Sequence, residues 1–350
     1  MSSLQLSRGS FFVHIPLAFS VCADVSRGYS TATSGRIDPP RDRATHPNYG
    51  RQQMTSRMHL SGKAMTLVLA LLLTIVTTMG TTMVSAPAVA QQNVRTDPDE
   101  LRAGRNYIET KVYTEQQDQE ILALFEGLRV ADVSDGMDKV GLANVGLMSP
   151  EIHPVWKDTK EYKHRFIGIA VTARYVPTNR GFAPAMETAA FDKWVGKTYN
   201  EVTPEPFTPL IRKGTALVID DAPHSDVGTI GSNNIMGWKL RGCVGVVTNS
   251  GGRDTDEVAT QQMPLYLRHV TRGIRPGRNE IESVNRPIEC GGVLVRPGDV
   301  IVADGDGVIV VPREKAREVA EYARHILEGD KAGRRNLYKQ LGLPEDASVR

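Results

Sequence analysis

Two glycine-bearing loops carry the residue types that could do chemistry. The first is Gly228-Thr229-Ile230-Gly231-Ser232-Asn233-Asn234, and the second is Gly251-Gly252-Arg253-Asp254. A glycine lets the backbone approach a ligand closely, and a helix starting after Gly231 presents free N–H groups to an anion. Arg253 can grip a carboxylate through two parallel hydrogen bonds. Asp254 is a hard oxygen donor suited to a magnesium-type ion. An anion cradle, an arginine and a metal carboxylate together suit a small 2-oxo acid. The metal would take its carboxylate and keto oxygens while Arg253 stabilises an enolate. The plainer reading is that glycine-rich loops are common and an Arg-Asp pair is more often a surface pair.

These loops need elements that bring them together. Ala216–Asp220 reads as a buried strand, Asp221–Gly231 as a polar loop, and Ser232–Leu240 as a helix capped by Ser232 or Asn233. Val244–Thr248 reads as a second buried strand running into Gly251-Gly252. A strand–loop–helix–strand–loop unit is a right-handed parallel crossover, with ligands at the carboxyl ends of its strands. Upstream, Asp118–Leu128 has the helical spacing of Ile121, Leu122 and Phe125. Val130–Asp135 reads as a short strand entering a helix, with Ser134 or Asp135 as N-cap. Phe166–Tyr175 reads as a strand, and residues 177–209, with five prolines, as a loop-rich excursion. Downstream, Gly291–Val295 and Val300–Ala303 read as strands, and Asp304-Gly305-Asp306-Gly307 turns a hairpin into Val308–Val311. Pro312 opens an amphipathic helix over Arg313–Leu327, and a charged tail begins at Glu328. Together these make one α/β domain over residues 118–345, behind a polar lead-in at 91–117.

The chain has 350 residues, 40% hydrophobic and 23% charged, which excludes wholesale disorder. Residues 1–90 hold 8 Lys/Arg against 3 Asp/Glu, leaving 34 against 37 for the rest. The folded part is therefore mildly acidic, which weighs against a nucleic-acid-binding face. Residues 1–57 lack periodicity and read as disordered or as sequence upstream of the true start. Residues 58–90 read as a signal peptide, with basic residues, the uncharged run Ala64–Val84, and a small-residue site ending at Ala90. Translation would begin near Met54, Met58 or Met65. An uncleaved anchor is the alternative, since the run is long enough to span a bilayer. Cleavage after Ala90 implies an exported, periplasmic protein with no stable membrane association.

Several residues invite sharper readings than they carry. Lys239 reads as a solvated lysine, and His224 as a loop histidine that could assist proton transfer or bind metal, although loop histidines more often do neither. Asp304 and Asp306 read as turn chemistry, because no glutamate stands at the twelfth position of a calcium loop. Trp238 reads as packing and Asp135 as a cap. Cys243 and Cys290 read as packed thiols, with a disulfide the other possibility.

Gly231, Arg241-Gly242, Gly245 and Arg253-Asp254, together with Gly291-Gly292, Arg296-Pro297-Gly298-Asp299 and Ala303-Asp304-Gly305-Asp306-Gly307-Val308, resemble a known signature. It is that of the regulator-of-ribonuclease-activity-A (RraA-like) family, and the likeness reaches upstream to Val133-Ser134-Asp135. The family includes the 4-hydroxy-4-methyl-2-oxoglutarate aldolases. Its older label, demethylmenaquinone methyltransferase, finds no methyl-donor site here. The resemblance implies a swivelling β/β/α domain with a parallel crossover, assembled as a homotrimer or homohexamer. It implies Mg²⁺ or Mn²⁺ bound through Asp254. It implies substrate lying on Gly231, Ser232, Asn233, Asn234 and Arg253. The implied reaction is retro-aldol cleavage of a 4-hydroxy-2-oxo acid to pyruvate, or oxaloacetate decarboxylation, through a metal-stabilised enolate. Ser232 stands where family aldolases often carry an acid. Asp226 is the acid that could substitute, with Asp221 second. For the acid borrowed from a neighbouring subunit's C-terminal helix, Glu328 is the counterpart and Asp330 the second choice. Two other readings compete: an exported small-acid-binding protein without turnover, and a ribonuclease-regulator-like protein-binding module.

Overall fold

Helices form where apolar residues recur at three- and four-residue intervals. The structure is a computed structural model that describes residues 97–221 and 226–350. The upstream segment (1–57), the export signal (58–90) and His224 lie outside them. The lead-in contains a short helix, α1 (Pro98–Arg102). Helix α2 (Glu115–Phe125) starts at a capping box between Thr114 and Gln117 and buries Ile121 and Phe125. No strand forms at residue 130. Helix α3 (Val130–Lys139) begins there, and Asp132 in its first turn accepts the N–H of Arg129 at 2.9 Å. Val130, Val133 and Met137 share the buried face, so Ser134 and Asp135 are interior helical positions rather than caps. Val130–Val133 is too short a run to separate helical from strand period, and the Arg129–Asp132 contact decides it.

Helix α7 (Ala316–Leu341) continues past the expected end at Leu327 and stops at Gly342, whose φ is +66°. It lies on α3 at close range. A Cβ on Gly136 would stand 2.6 Å from the Val319 carbonyl oxygen, so a glycine is needed at that crossing. Ala316, Val319, Ala320, Ala323 and Leu327 complete this core with α2.

The main sheet has eight strands. Seven run in the order β1 (His153–Pro154), β7 (Leu265–Leu267), β5 (Cys243–Thr248), β3 (Thr215–Asp220), β2 (Phe166–Pro177), β12 (Val300–Asp304), β13 (Gly307–Val311). The eighth, β9 (Asn279–Val284), pairs with the far half of β2. Strands β2, β3, β5 and β7 are parallel to their neighbours within that set, and β12 and β13 are antiparallel. The edges β1 and β13 come into contact, so the sheet nearly closes into a barrel. Every residue of β3 is buried. Ala216 and Val218 face the barrel interior, and Leu217 and Ile219 face the outer core with Trp238 and Ile235. Burial on both faces is what a parallel strand with a crossover helix requires.

That helix is α5 (Ser232–Leu240), and it joins parallel strands β3 and β5 as expected. The mixed α/β fold with its parallel crossover, in a single domain, is thus the one the sequence implies. The excursion at 177–209 is not all loop: helix α4 (Thr188–Glu201) occupies its middle. The Gly291-Gly292 pair is a hairpin turn at φ +60° and +84° between β10 (Ile288–Cys290) and β11 (Val293–Val295), not the start of a strand. Cys243 and Cys290 are free and buried, as packed thiols should be. Among the described residues, no helix is long and apolar enough to cross a membrane.

Candidate functional site

The three parallel strands β3, β5 and β7 each end at a break and resume as short strands. These are β4 (Gly228–Ile230), β6 (Gly251–Gly252) and β8 (His269–Val270), and they form a small parallel sheet of their own. The expected polar loop at 221–231 thus contains strand β4. The small sheet continues from the carboxyl ends of the large strands, where a crossover fold places its ligands.

A layer of buried polar groups holds the breaks. The Asp221 carboxylate, 2% exposed, accepts from the Thr229 hydroxyl and from Asn279 Nδ2 at 3.1 Å on each oxygen. Asn249 accepts the Asp221 N–H at 2.9 Å and donates to Asp220 Oδ1 at 2.7 Å. Burial pushes the Asp220 carboxyl above the ordinary carboxylate range. Both aspartates therefore end a strand and anchor the next. Asp221 is occupied by Thr229 and Asn279 rather than presented to a ligand.

Gly231 is the N-cap of α5, in place of the expected Ser232 or Asn233. The cap is filled from elsewhere. Asp254 has φ +57° and ψ +40°, a left-handed conformation that aspartate tolerates better than most residues. It is the N-cap residue of helix α6 (Thr255–Thr260), but its side chain makes no capping bond there. Its Oδ2 instead accepts the Ser232 backbone N–H at 3.0 Å and the Ser232 hydroxyl at 3.2 Å. A carboxylate thus sits on the positive end of α5. The N–H groups of Asn233 and Asn234, next in that first turn, have no acceptor within the helix. A Cβ on Gly231 would lie 2.9 Å from Asp254 Oδ2, so the bare backbone lets the carboxylate in.

Arg253 lies across the same surface. Its Cγ is 3.8 Å from the Cβ position of Gly231, and its Cδ is 2.8 Å from that of Gly228. Its Nε is 3.5 Å from Asp254 Oδ1, and both side chains are 35% exposed. Gly231, Ser232, Asn233, Asn234, Arg253 and Asp254 therefore converge at one place.

Asp226 and Glu328 are placed differently. Asp226 accepts from the Arg272 backbone N–H at 2.8 Å and from Arg272 Nε at 3.1 Å. That backbone bond and the Arg272 guanidinium hold its carboxyl below the usual range, which suits an ion-pair partner better than a base. Glu328 is exposed on α7, a helix packed on α2 and α3 and not on α5. Asp330 pairs with Arg129 at 2.6 Å. Asn234 also has a second role, because its side chain donates away from the cradle to Glu205.

Glu205 and Arg275 were not legible as site residues. Glu205 accepts from Asn234, from Trp238 Nε1 at 3.0 Å and from Arg275 Nη2 at 2.7 Å, so it locks the cradle helix to the excursion. These partners are separated by 29 to 70 positions, and no local pattern links them. Trp238 is packing, as expected. Lys239 donates to the Gln261 carbonyl at 3.0 Å, and Asp304 accepts the Asp306 N–H within its turn and, across the fold, the Val130 N–H at the start of α3.

Among the described residues, no three His, Cys, Asp or Glu side chains cluster as a metal cage. The residues present fit a more sparing arrangement. Among the described residues, Asp254 Oδ1 has only its long contact with Arg253, and magnesium-type ions are commonly held by one or two carboxylates with water and substrate oxygens.

The RraA-like family model, described as Aldolase/RraA, matches residues 130–310. A Halalkalibacterium halodurans protein, provisionally named a 4-hydroxy-4-methyl-2-oxoglutarate aldolase, is 32% identical over 122 residues, covering 35% of this chain and 58% of that one. A Thermus thermophilus protein named 4-hydroxy-4-methyl-2-oxoglutarate aldolase is 28% identical over 102 residues, covering 28% and 60%. The chain thus spans rather more than half the length of these curated relatives. Among solved structures, the Streptomyces coelicolor RraAS2 protein superposes with a TM-score of 0.50 at 21% identity, covering 63% of this chain and 98% of that one. The matched residues include both strands of the crossover, the cradle and Arg253-Asp254: this chain belongs to the RraA-like family.

Proposed function

We propose that the protein is a divalent-metal-dependent lyase that cleaves a 4-hydroxy-2-oxo acid to pyruvate, with oxaloacetate decarboxylation as a related activity. One observation carries this reading. The left-handed Asp254 turns its carboxylate onto the N-terminus of α5 beside Arg253, so a guanidinium, free helix N–H groups and an available carboxylate oxygen share one surface.

The substrate's 1-carboxylate lies on the Asn233 and Asn234 N–H groups and on Arg253. Mg²⁺ or Mn²⁺ held through Asp254 would supply Lewis-acid polarisation of the 2-oxo group. In retro-aldol cleavage a base takes the 4-hydroxyl proton, C4 becomes a carbonyl as the C3–C4 bond breaks, the bond's electron pair moves toward the C2 oxygen as an enolate, and a proton delivered to C3 gives pyruvate. In decarboxylation the same electron pair comes from the bond to the departing carboxylate. Arg253 and the helix N-terminus face the negative charge that both reactions develop there. Ser232 holds Asp254 in place and is no base itself. Glu328 is the remaining candidate acid; exposed on α7, it would serve the cradle of a neighbouring subunit in the homotrimer or homohexamer we propose.

A second reading is favoured by the Asp226–Arg272 pair. That pair takes Asp226, the acid that could substitute at the Ser232 position, out of proton transfer, as expected of a binder without turnover. Pyruvate release decides between them. The purified protein is supplied with 4-hydroxy-4-methyl-2-oxoglutarate or oxaloacetate, with Mg²⁺ and then with EDTA. Metal-dependent release supports the lyase, whereas oxalate binding through Arg253 without release supports the binder.

A further inference from the structure

A cavity of about 240 Å³ lies at the amino end of β3, where Gly214-Thr215 starts the strand. The cradle is at the opposite, carboxyl end. Lys111, Val112 and Tyr113 of the lead-in form one wall of the cavity. They belong to a strap that is seated on the domain by Tyr113. Its carbonyl accepts from Arg212 Nη2 at 2.8 Å, and its ring lies 2.5 Å from where a Cβ of Gly298 would stand. The Arg313 guanidinium stacks 4.4 Å from the centroid of the same ring. Next to it, the Thr110 hydroxyl donates to the Asn285 carbonyl at 3.2 Å.

Several backbone N–H groups around this cavity are already spent. Gly214 donates to the Gly242 carbonyl and Thr215 to the Arg212 carbonyl, both at 3.0 Å, and Gly298 donates to the Ala170 carbonyl at 2.9 Å. The side chains that line it are not spent. Arg212 uses Nη2 alone, on Tyr113 and on Asp118. Its Nε and Nη1, the Lys213 ammonium and the Asn285 side-chain amide have no partner among the described residues. The open polarity is therefore mostly N–H donors, which call for an acceptor. Charge points the same way. Lys111, Arg212 and Lys213 line the cavity beside one carboxylate, Asp118. Asp118 is shared between Arg212 and Arg313, and Lys111 is taken by Glu314 at 2.7 Å. Lys213 is left without a counter-ion among the described residues.

We propose that this cavity is a ligand site for a small carboxylate with an apolar body. The carboxylate sits on Lys213, Arg212 and the Asn285 amide. The body lies against Val112, Leu210 and Pro297. The volume is below the roughly 300–1,000 Å³ of pockets for drug-sized ligands, which keeps the occupant small. Nothing in this wall asks for a 2-oxo group or a metal, so the site is independent of the cradle. Its occupant bridges the strap, through Val112, and the start of β3, through Lys213. Binding therefore holds the strap down.

The test uses benzoate and benzyl alcohol, which share a ring and differ in charge. Calorimetric titration of the full protein, with EDTA present, gives both affinities. Benzoate should bind with a Kd of about 1 mM or tighter, and at least about tenfold more tightly than benzyl alcohol, the size of one charge-assisted bond. Lys213→Gln should weaken benzoate about tenfold, whereas Arg253→Gln in the cradle should leave it within about twofold. At ten times its Kd, benzoate should slow tryptic cleavage after Lys111 about tenfold, because the ligand binds only the seated strap. No binding at about 10 mM, equal affinity for the two probes, or binding lost in Arg253→Gln and kept in Lys213→Gln would overturn the proposal. So would binding that leaves cleavage after Lys111 unchanged.

Discussion

Glu205→Ala should be among the most damaging single changes in the outer core. Arg275 is 6% exposed, and Glu205 is 20% exposed beside it. Removing Glu205 leaves the guanidinium with the Tyr175 hydroxyl at 3.0 Å and the Tyr199 ring at 5.1 Å, neither of them charged opposite to it. Breaking a buried pair by deleting one partner costs about 3–5 kcal/mol. The Asn234 amide and Trp238 N–H lose their acceptor too, at about 1 kcal/mol each where water cannot replace it. Partial exposure of Glu205 admits some water, so the expected total is about 4 kcal/mol. For a domain of this size that is roughly 8–16 °C in Tm. Urea unfolding of Glu205→Ala, Arg275→Met and the double variant supplies the assay. The double variant should be more stable than Glu205→Ala alone, with a coupling of at least about 2 kcal/mol. A loss under about 1 kcal/mol, or no coupling, would show that the pair behaves as a solvated surface contact. A functional trace should follow: with α5 loosened, KM for the 2-oxo acid should rise more than kcat falls.

Other consequences are simpler to state. Gly231→Ala should leave stability within about 1 kcal/mol, because its φ of −130° suits alanine. Its Cβ would crowd Asp254, so kcat/KM should fall roughly 100-fold, and a variant with wild-type kinetics would refute the capping role. Asp299 is pushed up to about 6 by burial, although the Arg296 and Arg313 N–H groups oppose the shift. A carboxyl raised in the folded state stabilises at low pH, and that contribution is lost as pH rises from about 4 through 6. Asp299→Asn should therefore flatten the stability-versus-pH curve between pH 4 and 7, by up to about 1.4 kcal/mol per pH unit, whatever its baseline cost. If residues 58–90 direct export, N-terminal sequencing of the periplasmic protein should begin at Gln91, and a retained, membrane-bound form would contradict that.

The strands that build the crossover were legible because β3 and β5 are continuous apolar runs ended by polar residues. The pattern Gly231, Arg253, Asp254 was legible because its parts lie within two short loops. Three features were not. Val130–Val133 carries too few residues to show its period, and the helix there depends on Asp132 meeting Arg129. Helix α4 was hidden because its only buried residue is Thr198, so it has almost no apolar stripe to read. The cap of α5 comes from Asp254, 22 positions away, and only the backbone turn at that residue makes this possible. Long-range polar contacts of this kind leave no periodic trace.

The account turns on Asp254 serving as more than a cap. Asn at 254 can still accept the Ser232 N–H, so Asp254→Asn separates the structural role from the chemical one. Pyruvate release from 4-hydroxy-4-methyl-2-oxoglutarate, measured for wild type and Asp254→Asn at saturating Mg²⁺, tests it most directly. The account predicts a fall of at least about 100-fold with folding intact, equivalent to a few kcal/mol of lost transition-state stabilisation. Undiminished release by Asp254→Asn, insensitive to EDTA, would contradict it.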